Sequence, residues 1–227
     1  MLVEGFPAQY AGTNCYVVAP GPGEQCVVVD PGVGVGPQLA ELLEQHRLHP
    51  VAVLLTHGHL DHTFSVLPVC EATGVAAYIH PADRAMIADP WSGLGLSRDE
   101  PLLGVPGLTF AEPDDVREIH DGERLDLAGL QFAVRDAPGH TKGSVLFDFS
   151  ASTTGREPVV LSGDVLFAGS IGRTDLPSGS MADMRASLLN VVLPLPDETL
   201  VHPGHGPSTT MARERATNPY LRGLTSS

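Results

Sequence analysis

The sequence has few positive charges: 13 Lys and Arg stand against 27 Asp and Glu, which gives a formal net charge of −14. Nonspecific binding to nucleic acid depends on clustered Lys and Arg that face phosphates. An anionic membrane would likewise repel so acidic a surface. We therefore expect neither nucleic acid nor a membrane as a partner. No run of about 18 apolar residues occurs, so no helix is expected to span a bilayer.

The sequence also lacks a basic N-terminal segment followed by an apolar stretch, which is the pattern of a secretory signal peptide. We therefore expect a soluble, cytoplasmic protein. Only three cysteines are present, Cys15, Cys26 and Cys70, and they form neither a zinc-binding pattern nor a C-x-x-C redox motif. We expect buried, reduced thiols without a catalytic role.

No linker, charge block or low-complexity run divides the 227 residues. One domain that spans residues 1–227 is predicted, and it is long enough to bury a sizeable core. In both halves, predicted strands are accompanied by helices in the manner of α/β proteins. This pattern indicates two sheets packed face to face, with helices on their outer faces.

Apolar and β-branched runs predict nine strands, at residues 14–19, 26–30, 51–55, 75–79, 124–127, 130–136, 144–149, 159–162 and 199–202. Helical spacing and proline positions predict helices at 36–48, about 63–73, 81–89, 181–192 and about 209–216. Residues 90–113 contain four prolines and several glycines, and they are expected to be irregular.

The segment from Thr56 to His62 is the most informative part of the sequence. It holds four potential metal ligands within six residues, directly after a predicted buried strand: His57, His59, Asp61 and His62. Imidazole and carboxylate groups suit zinc, iron and manganese. So many ligands in one short segment cannot easily bind a single ion together with distant ligands. Two neighbouring metal ions are the natural arrangement.

Three further candidate ligands follow later strands, each beside a glycine that lets the backbone approach closely. They are His140 in a Pro-Gly-His-Thr segment, Asp164 in Ser-Gly-Asp and His205 in Pro-Gly-His-Gly. If these strand ends lie on one side of the sheets, all seven groups meet. The other five histidines have no such partners and are expected to be structural or exposed: His46, His49, His80, His120 and His202.

The pattern T-H-x-H-x-D-H, followed by P-G-H-T, G-D and G-H-G, resembles that of the metallo-β-lactamase fold superfamily over nearly the whole chain. The resemblance implies a four-layer αββα sandwich with two divalent metal ions at one edge between the sheets. Zinc is the most typical metal, and iron and manganese are also known among the glyoxalase II-like members of the superfamily. The implied ligands are two groups of three and one bridging residue: His57, His59 and His140; Asp61, His62 and His205; and Asp164.

The V-D-P-G segment that contains Asp30 also resembles the superfamily, in which this aspartate supports the metal-binding loop. Residues 168–175 and 204–221 resemble glyoxalase II-like enzymes, particularly the short, single-domain bacterial type. Those enzymes hydrolyse acyl thioesters of glutathione or a related thiol. Larger members have a C-terminal helical domain that contributes thiol-binding residues, and we expect no counterpart of it in this protein.

The sequence departs from the larger glyoxalase II enzymes at positions near the metal ligands. Arg173 and Asp175 stand where those enzymes have lysine and tyrosine after the bridging aspartate, and Pro207 replaces a tyrosine. Arg173 is the candidate contact for an anionic part of the substrate, and its alternative role is a structural pair with Asp175. The irregular segment 90–113, which includes Trp91, either forms part of the rim of the substrate pocket or is a surface insertion.

The resemblance implies hydrolysis of a small-molecule thioester such as S-lactoylglutathione by a metal-bound hydroxide. Asp164, as the bridge, and Asp61, which would orient the nucleophile, are the expected catalytic carboxylates. The alternative is a persulfide dioxygenase of the same fold, with one iron held by His57, His140 and Asp164. A β-lactamase is less expected because such enzymes are usually exported. The acidic charge disfavours a nuclease, and a non-enzymatic scaffold should have lost some of the ligands.

Overall fold

Twelve strands form two six-stranded sheets in the computed structural model, which describes residues 1–149 and 158–225. The first sheet contains, in chain order and in spatial order, β1 (Leu2–Pro7), β2 (Asn14–Ala19), β3 (Gln25–Val29), β4 (His49–Leu54), β5 (Ala76–Ile79) and β6 (Val116–Glu118). The second sheet contains, likewise in order, β7 (Arg124–Leu127), β8 (Leu130–Asp136), β9 (Val145–Phe149), β10 (Val159–Gly163), β11 (Leu200–Pro203) and β12 (Thr209–Thr210).

Both sheets are mixed. Strands β1 to β3 pair antiparallel, whereas β3 to β6 run parallel. In the second sheet only β10 and β11 are parallel, and the other neighbours are antiparallel. Parallel neighbours require crossover connections, which usually contain helices. The order of helices and strands in the first half of the chain therefore follows from its parallel pairing.

The described residues contain eight α-helices: α1 (Gly36–His46), α2 (Leu60–Thr63), α3 (Val66–Thr73), α4 (Pro81–Ala88), α5 (Pro90–Leu94), α6 (Met181–Ser187), α7 (Met211–Thr217) and α8 (Pro219–Thr225). Helix α6 continues directly as a π-helical turn, Leu188–Val192. None of these described helices has the length and apolar character needed to cross a membrane.

The side chains that alternate along β2 separate two cores. Val18 packs between the two sheets with Phe132 and Phe147 of the second sheet. Val17 packs on the opposite face of the first sheet with Leu39 of α1. A third cluster joins α6, α7 and α8 to the outer face of the second sheet. The result is the predicted four-layer αββα sandwich, in which helices flank two mixed sheets.

The three cysteines are buried and free, as predicted. Burial raises the pKa of Cys26 to about 12 and that of Cys70 to about 11, and it also raises the pKa of Cys15. Such thiols stay protonated and inert near neutral pH.

The prediction that residues 56–62 form a loop was wrong in part, because the one-turn helix α2 begins at Leu60. The predicted helix over residues 63–73 begins later, at Val66, and it accommodates Pro68 as its third residue. A proline is tolerated there because the first N–H groups of a helix have no partner within the helix.

Residues 90–113 also contain more regular structure than the sequence indicated, since α5 begins at Pro90. Strands β1, β6 and β12 and helix α8 were not predicted. Strands β1, β6 and β12 lie at sheet edges, where the apolar pattern is weak, and β12 has two residues. Strands β2, β7 and β8 agree with the prediction to the residue.

Candidate metal centre

The segment between β4 and α3 carries four of the predicted ligands. His57 and His59 precede α2, whereas Asp61 and His62 lie within that helical turn. The three histidines are buried, and the side chain of Asp61 is 22% exposed. The segment therefore extends from the interior to the surface within six residues.

Asp30 supports this segment from the end of β3. Its φ of 49° lies in the left-handed region, which Asp adopts more readily than most residues. Its carboxylate accepts hydrogen bonds from Thr56 N at 2.8 Å and Thr56 Oγ1 at 2.7 Å. His62 Nδ1 lies 3.0 Å from Asp30 Oδ2 and donates to it. These contacts fix the orientation of His62 in the way that residues around a metal ligand usually do.

The other three predicted ligands follow strands of the second sheet. His140 comes after β8, Asp164 after β10 and His205 after β11. His140 and Asp164 are buried, whereas the side chain of His205 is 27% exposed. A Cβ atom at Gly204 would collide with Asp164 and His62, so only glycine permits this close approach.

The structure brings all seven predicted ligands into overlapping groups whose ligand atoms lie within 4.8 Å of one another. We call the buried set of three imidazoles the inner group: His57, His59 and His140. We call the set that reaches the surface the outer group: Asp61, His62 and His205. A third set shares members with both groups: His57, His62 and Asp164.

Asp164 lies between the inner and outer groups. Its Oδ2 atom is 3.5 Å from His140 Nε2 and 3.4 Å from His205 Nε2. Its Oδ1 atom is 3.3 Å from His62 Nε2. One carboxylate therefore reaches both groups, which is what the bridging of two neighbouring ions requires.

The spacing of these atoms fits metal ions. Four ligands arranged tetrahedrally at about 2.0–2.1 Å from zinc are about 3.3–3.4 Å from one another. His205 Nε2 is 3.4 Å from His62 Nε2 and 3.2 Å from Asp61 Oδ2. His57 Nε2 is buried without a hydrogen-bond partner, a costly state that coordination would relieve. The cluster is therefore suited to a dinuclear metal site.

Hydrogen bonds at Nδ1 determine which ring nitrogen of two inner histidines is free to bind a metal. Thr56 Oγ1 donates its only proton to Asp30, so it accepts a hydrogen bond from His57 Nδ1 at 3.1 Å. The carbonyl oxygen of Arg173 can only accept, and it lies 2.8 Å from His140 Nδ1. With their protons on Nδ1, both rings keep the lone pair of Nε2 for a metal.

The two groups differ in how readily their imidazoles gain a proton. Burial lowers the pKa of His57 well below its usual value and lowers that of His59 to about 4. Burial would also lower the pKa of His205, but Asp164 and Asp61 raise it to about 9. His57 and His59 are therefore neutral near pH 7, whereas the carboxylates of the outer group favour the protonated form of His205.

Asp83, which the sequence did not single out, connects two ligand-bearing segments. This buried carboxylate of α4 accepts hydrogen bonds from Gly58 N at 2.9 Å, Gly143 N at 2.8 Å and Thr141 Oγ1 at 2.6 Å. Gly58 separates His57 from His59, and Thr141 follows His140 in the chain. Asp83 thus holds both segments of the inner group at a fixed separation.

Thr13 was also missed, and it performs a similar task in the outer group. Its hydroxyl donates to Asp61 Oδ2 at 2.8 Å, and its backbone forms a bridge with that of His205. No pattern in a single sequence indicates these contacts, because they join residues that are far apart in the chain. For Asp83, the only local feature of the sequence was Pro81, two residues earlier, which opens helix α4.

The guanidinium of Arg173, the predicted substrate contact, is exposed and paired with Asp175. The side chain is 60% exposed and bonds Asp175 at 2.7 and 2.8 Å, which is the alternative structural pair. Its backbone carbonyl, in contrast, orients His140. Contact of the Arg173 side chain with substrate stays a prediction.

The five histidines that the sequence placed outside the site do not belong to any of the described groups that could hold a metal. His80 caps the start of α4 by accepting from Ala82 N, and His202 Nδ1 lies 2.7 Å from Ser208 Oγ. Trp91 is buried and donates from Nε1 to the carbonyl of Glu100. It packs beneath the surface instead of forming a rim.

Two packed sheets flanked by helices, with a paired His/Asp cluster just after the ends of several strands, define a metal-dependent class of enzyme. The model of the metallo-beta-lactamase superfamily matches residues 10–205. This chain belongs to the metallo-β-lactamase superfamily.

Three relatives match over most of their length. A protein of Mycobacterium tuberculosis is 47% identical over 227 residues, which cover 99% of both chains. The probable metallo-hydrolase YqgX of Bacillus subtilis is 36% identical, with coverage of 88% of this chain and 89% of the relative. Hydroxyacylglutathione hydrolase GloC of Haemophilus influenzae is 31% identical, with coverage of 97% and 98%.

Two solved structures are similar at more than one third sequence identity. The B3 metallo-beta-lactamase BLEG-1 has a TM-score of 0.84 and 36% identity, and the match covers 97% of this chain and 99% of that one. TTHA1623, solved in a di-iron-bound form, has a TM-score of 0.76 and 37% identity, with coverage of 96% and 100%.

Proposed function

We propose that this protein is a cytoplasmic, metal-dependent hydrolase that cleaves small-molecule acyl thioesters, with S-lactoylglutathione as the first substrate to test. The observation that carries the proposal is the position of Asp164 between two complete ligand groups. Such an arrangement suits two metal ions, and two ions suit hydrolysis. The similarity to hydroxyacylglutathione hydrolase GloC supports the choice of thioesters.

The reaction converts R-CO-S-R′ and water into a carboxylic acid and a thiol. The inner group would hold one ion, the outer group would hold the other, and Asp164 would contact both. When bound, two such ions lower the pKa of water to about 7 and stabilise negative charge on the carbonyl oxygen. Zinc is the expected metal, with iron and manganese as alternatives.

The protein's own contribution is positional. Asp30 and the carbonyl of Arg173 orient two of the imidazoles through their Nδ1 protons. Thr13 holds Asp61 at the exposed side of the centre, where a substrate arrives. A thiol has an ordinary pKa of about 8.5, so a thiolate can leave without a dedicated general acid. The chain therefore needs no buried acid beyond the cluster for this reaction.

The test is release of free thiol from S-lactoylglutathione by protein loaded separately with zinc, iron or manganese. A kcat/KM of about 10⁴ M⁻¹s⁻¹ or more would support the proposal. Asp164→Ala should abolish turnover, whereas His80→Ala, a histidine outside the cluster, should retain both turnover and metal. No turnover by any metal form with any thioester would overturn the proposal.

Persulfide oxidation is the second candidate, because the inner group and Asp164 also provide the three ligands that one iron would need: His57, His140 and Asp164. The His205→Ala variant separates the two reactions, since it removes a ligand of the outer group alone. Hydrolysis should be lost in this variant, whereas oxygen uptake with glutathione persulfide should survive. Our proposal would be replaced by persulfide oxidation if the parent protein showed no thioester hydrolysis and the His205→Ala variant still consumed oxygen.

The similarity to BLEG-1 makes β-lactam hydrolysis a third reaction to measure. A β-lactam releases an amine, which needs a proton to leave, whereas a thiolate does not. A chromogenic cephalosporin should therefore be cleaved far more slowly than a thioester. Faster cleavage of the cephalosporin would show that the preferred substrate is a β-lactam.

A further inference from the structure

A pocket of about 340 Å³ lies directly beside Asp61. One wall comes from Tyr10 and Ala11, in the loop between β1 and β2, and the other from the end of α5 and the segment after it, within residues 94–104. Thr13 ties the first wall to the metal centre through its hydrogen bond to Asp61. The pocket therefore continues outward from the outer group.

The lining of this pocket is apolar except at its inner end. Asp61 is its only acidic residue, and the described lining includes no Lys, Arg or His. The side chains that give it its character are six large ones: Tyr10, Leu60, Leu94, Leu96, Leu102 and Leu103. An anionic ligand would find no positive charge in this pocket, and a polar one would find few partners.

Apolar side chains are exposed at the mouth of the pocket. Tyr10 is 50% exposed and Leu96 is 38% exposed. Exposed apolar surface around a concave site marks a place where an apolar ligand binds. Covering Tyr10 and Leu96 would remove this surface from water.

The buried residues of the pocket lining are packed against other apolar side chains. Leu60 and Leu102 are buried in a small cluster with Trp91. The Trp91 indole donates to the carbonyl of Glu100 at 2.8 Å and packs edge-on against Phe110, with ring centroids 5.5 Å apart. This packing behind Leu60 and Leu102 favours a group that ends inside the pocket.

We propose that this pocket binds an apolar alkyl or aryl acyl group of the substrate, with the reacting carbonyl beside Asp61 and the acyl chain directed toward Leu102. This inference rests on the proposed thioester hydrolysis and deepens it. An apolar cavity of about 150 Å³ can hold benzene, so this pocket has room for a larger group. A lactoyl group would place its hydroxyl among leucines, so it is a poorer ligand than an unsubstituted chain of similar or greater length.

The first test compares thioesters of one neutral thiol, N-acetylcysteamine, whose acyl groups range from acetyl to octanoyl and include lactoyl. We expect kcat/KM to rise about threefold to fourfold for each added methylene until the pocket is full. The isosteric change Leu96→Asn should lower the ratio of octanoyl to acetyl kcat/KM about fivefold or more. The matched control is Leu189→Asn, at a similarly exposed leucine in the π-helical turn, and it should leave the ratio unchanged.

The second test measures binding without hydrolysis, by calorimetry of the metal-loaded protein with octan-2-one, a neutral ketone that cannot be hydrolysed. We expect Leu96→Asn to weaken binding at least fivefold and Leu189→Asn to have no effect. Ketone binding of this kind without any thioester turnover would sustain the pocket and overturn the proposed hydrolysis. Thioester turnover with neither a chain-length preference nor ketone binding would overturn the pocket assignment and leave the proposed hydrolysis intact. A substrate preference that depends on the thiol instead of the acyl chain would have the same consequence.

Discussion

The inner and outer groups of the cluster use similar ligands in different surroundings. The inner group consists of three buried imidazoles, whereas the outer group includes a carboxylate and reaches solvent at Asp61 and His205. Burial keeps the pKa of His57 and His59 low. In the outer group, neighbouring carboxylates overcome the effect of burial and raise the pKa of His62 and His205.

The difference indicates that the two ligand groups have separate roles. The inner group is held in place by Asp83 and by hydrogen bonds at Nδ1. The outer group borders the apolar pocket through Asp61. We infer that the inner group anchors a metal permanently and that the outer group completes the centre where substrate binds.

The largest expected effect comes from removing the residue that joins the groups. Asp164→Ala should reduce kcat/KM about 10³-fold or more, because both ions would lose a ligand and a bound ion contributes several kcal/mol of transition-state stabilisation. Metal content by mass spectrometry should also fall below that of the parent protein. Full turnover with two bound metals in this variant would show that Asp164 is not the bridge.

A comparison of His205→Ala with His59→Ala tests the separation between the groups. His205→Ala should retain one metal equivalent, because the buried inner group is intact, and should lose about 100-fold in hydrolysis. His59→Ala should disturb the anchoring position and lower metal content further. If both variants lose both metals equally, the two groups do not act separately.

Asp83→Asn should weaken metal binding by the inner group about 10-fold to 100-fold, a typical effect for a residue that orients ligands. The carboxylate of Asp83 accepts hydrogen bonds from N–H and hydroxyl donors. The side-chain NH₂ group of an asparagine at this position would face one of these donors and could not accept its hydrogen bond. Competition with a chelator measures the change. Asp126→Asn, at an exposed carboxylate of β7, is the control and should bind metal as the parent does.

The smallest effect on the metal centre is expected for Arg173→Ala, because the backbone carbonyl that orients His140 remains. Metal content should stay unchanged. If the guanidinium contacts an anionic thiol carrier, KM for S-lactoylglutathione should rise by about 10-fold or less, as for an exposed charge. Equal KM values in variant and parent would leave Arg173 only its pair with Asp175.

The sequence predicted the seven-residue cluster well because ligand chemistry is local to each segment. A histidine or aspartate just after an apolar strand is visible without knowledge of the fold, and the four layers followed from the order of helices and strands. Asp83 and Thr13 could not be predicted, because their roles depend on segments that meet only after folding. The apolar pocket was hidden for the same reason, since Tyr10 and Leu102 are distant in the chain.

The most direct test of the central claim is a crystal structure of metal-loaded protein in which anomalous scattering locates the ions. We predict two ions about 3.5–4 Å apart. One should contact His57, His59 and His140, the other Asp61, His62 and His205, and Asp164 should contact both. A single ion held by His57, His140 and Asp164, with the outer group empty at saturating metal, would contradict the dinuclear account.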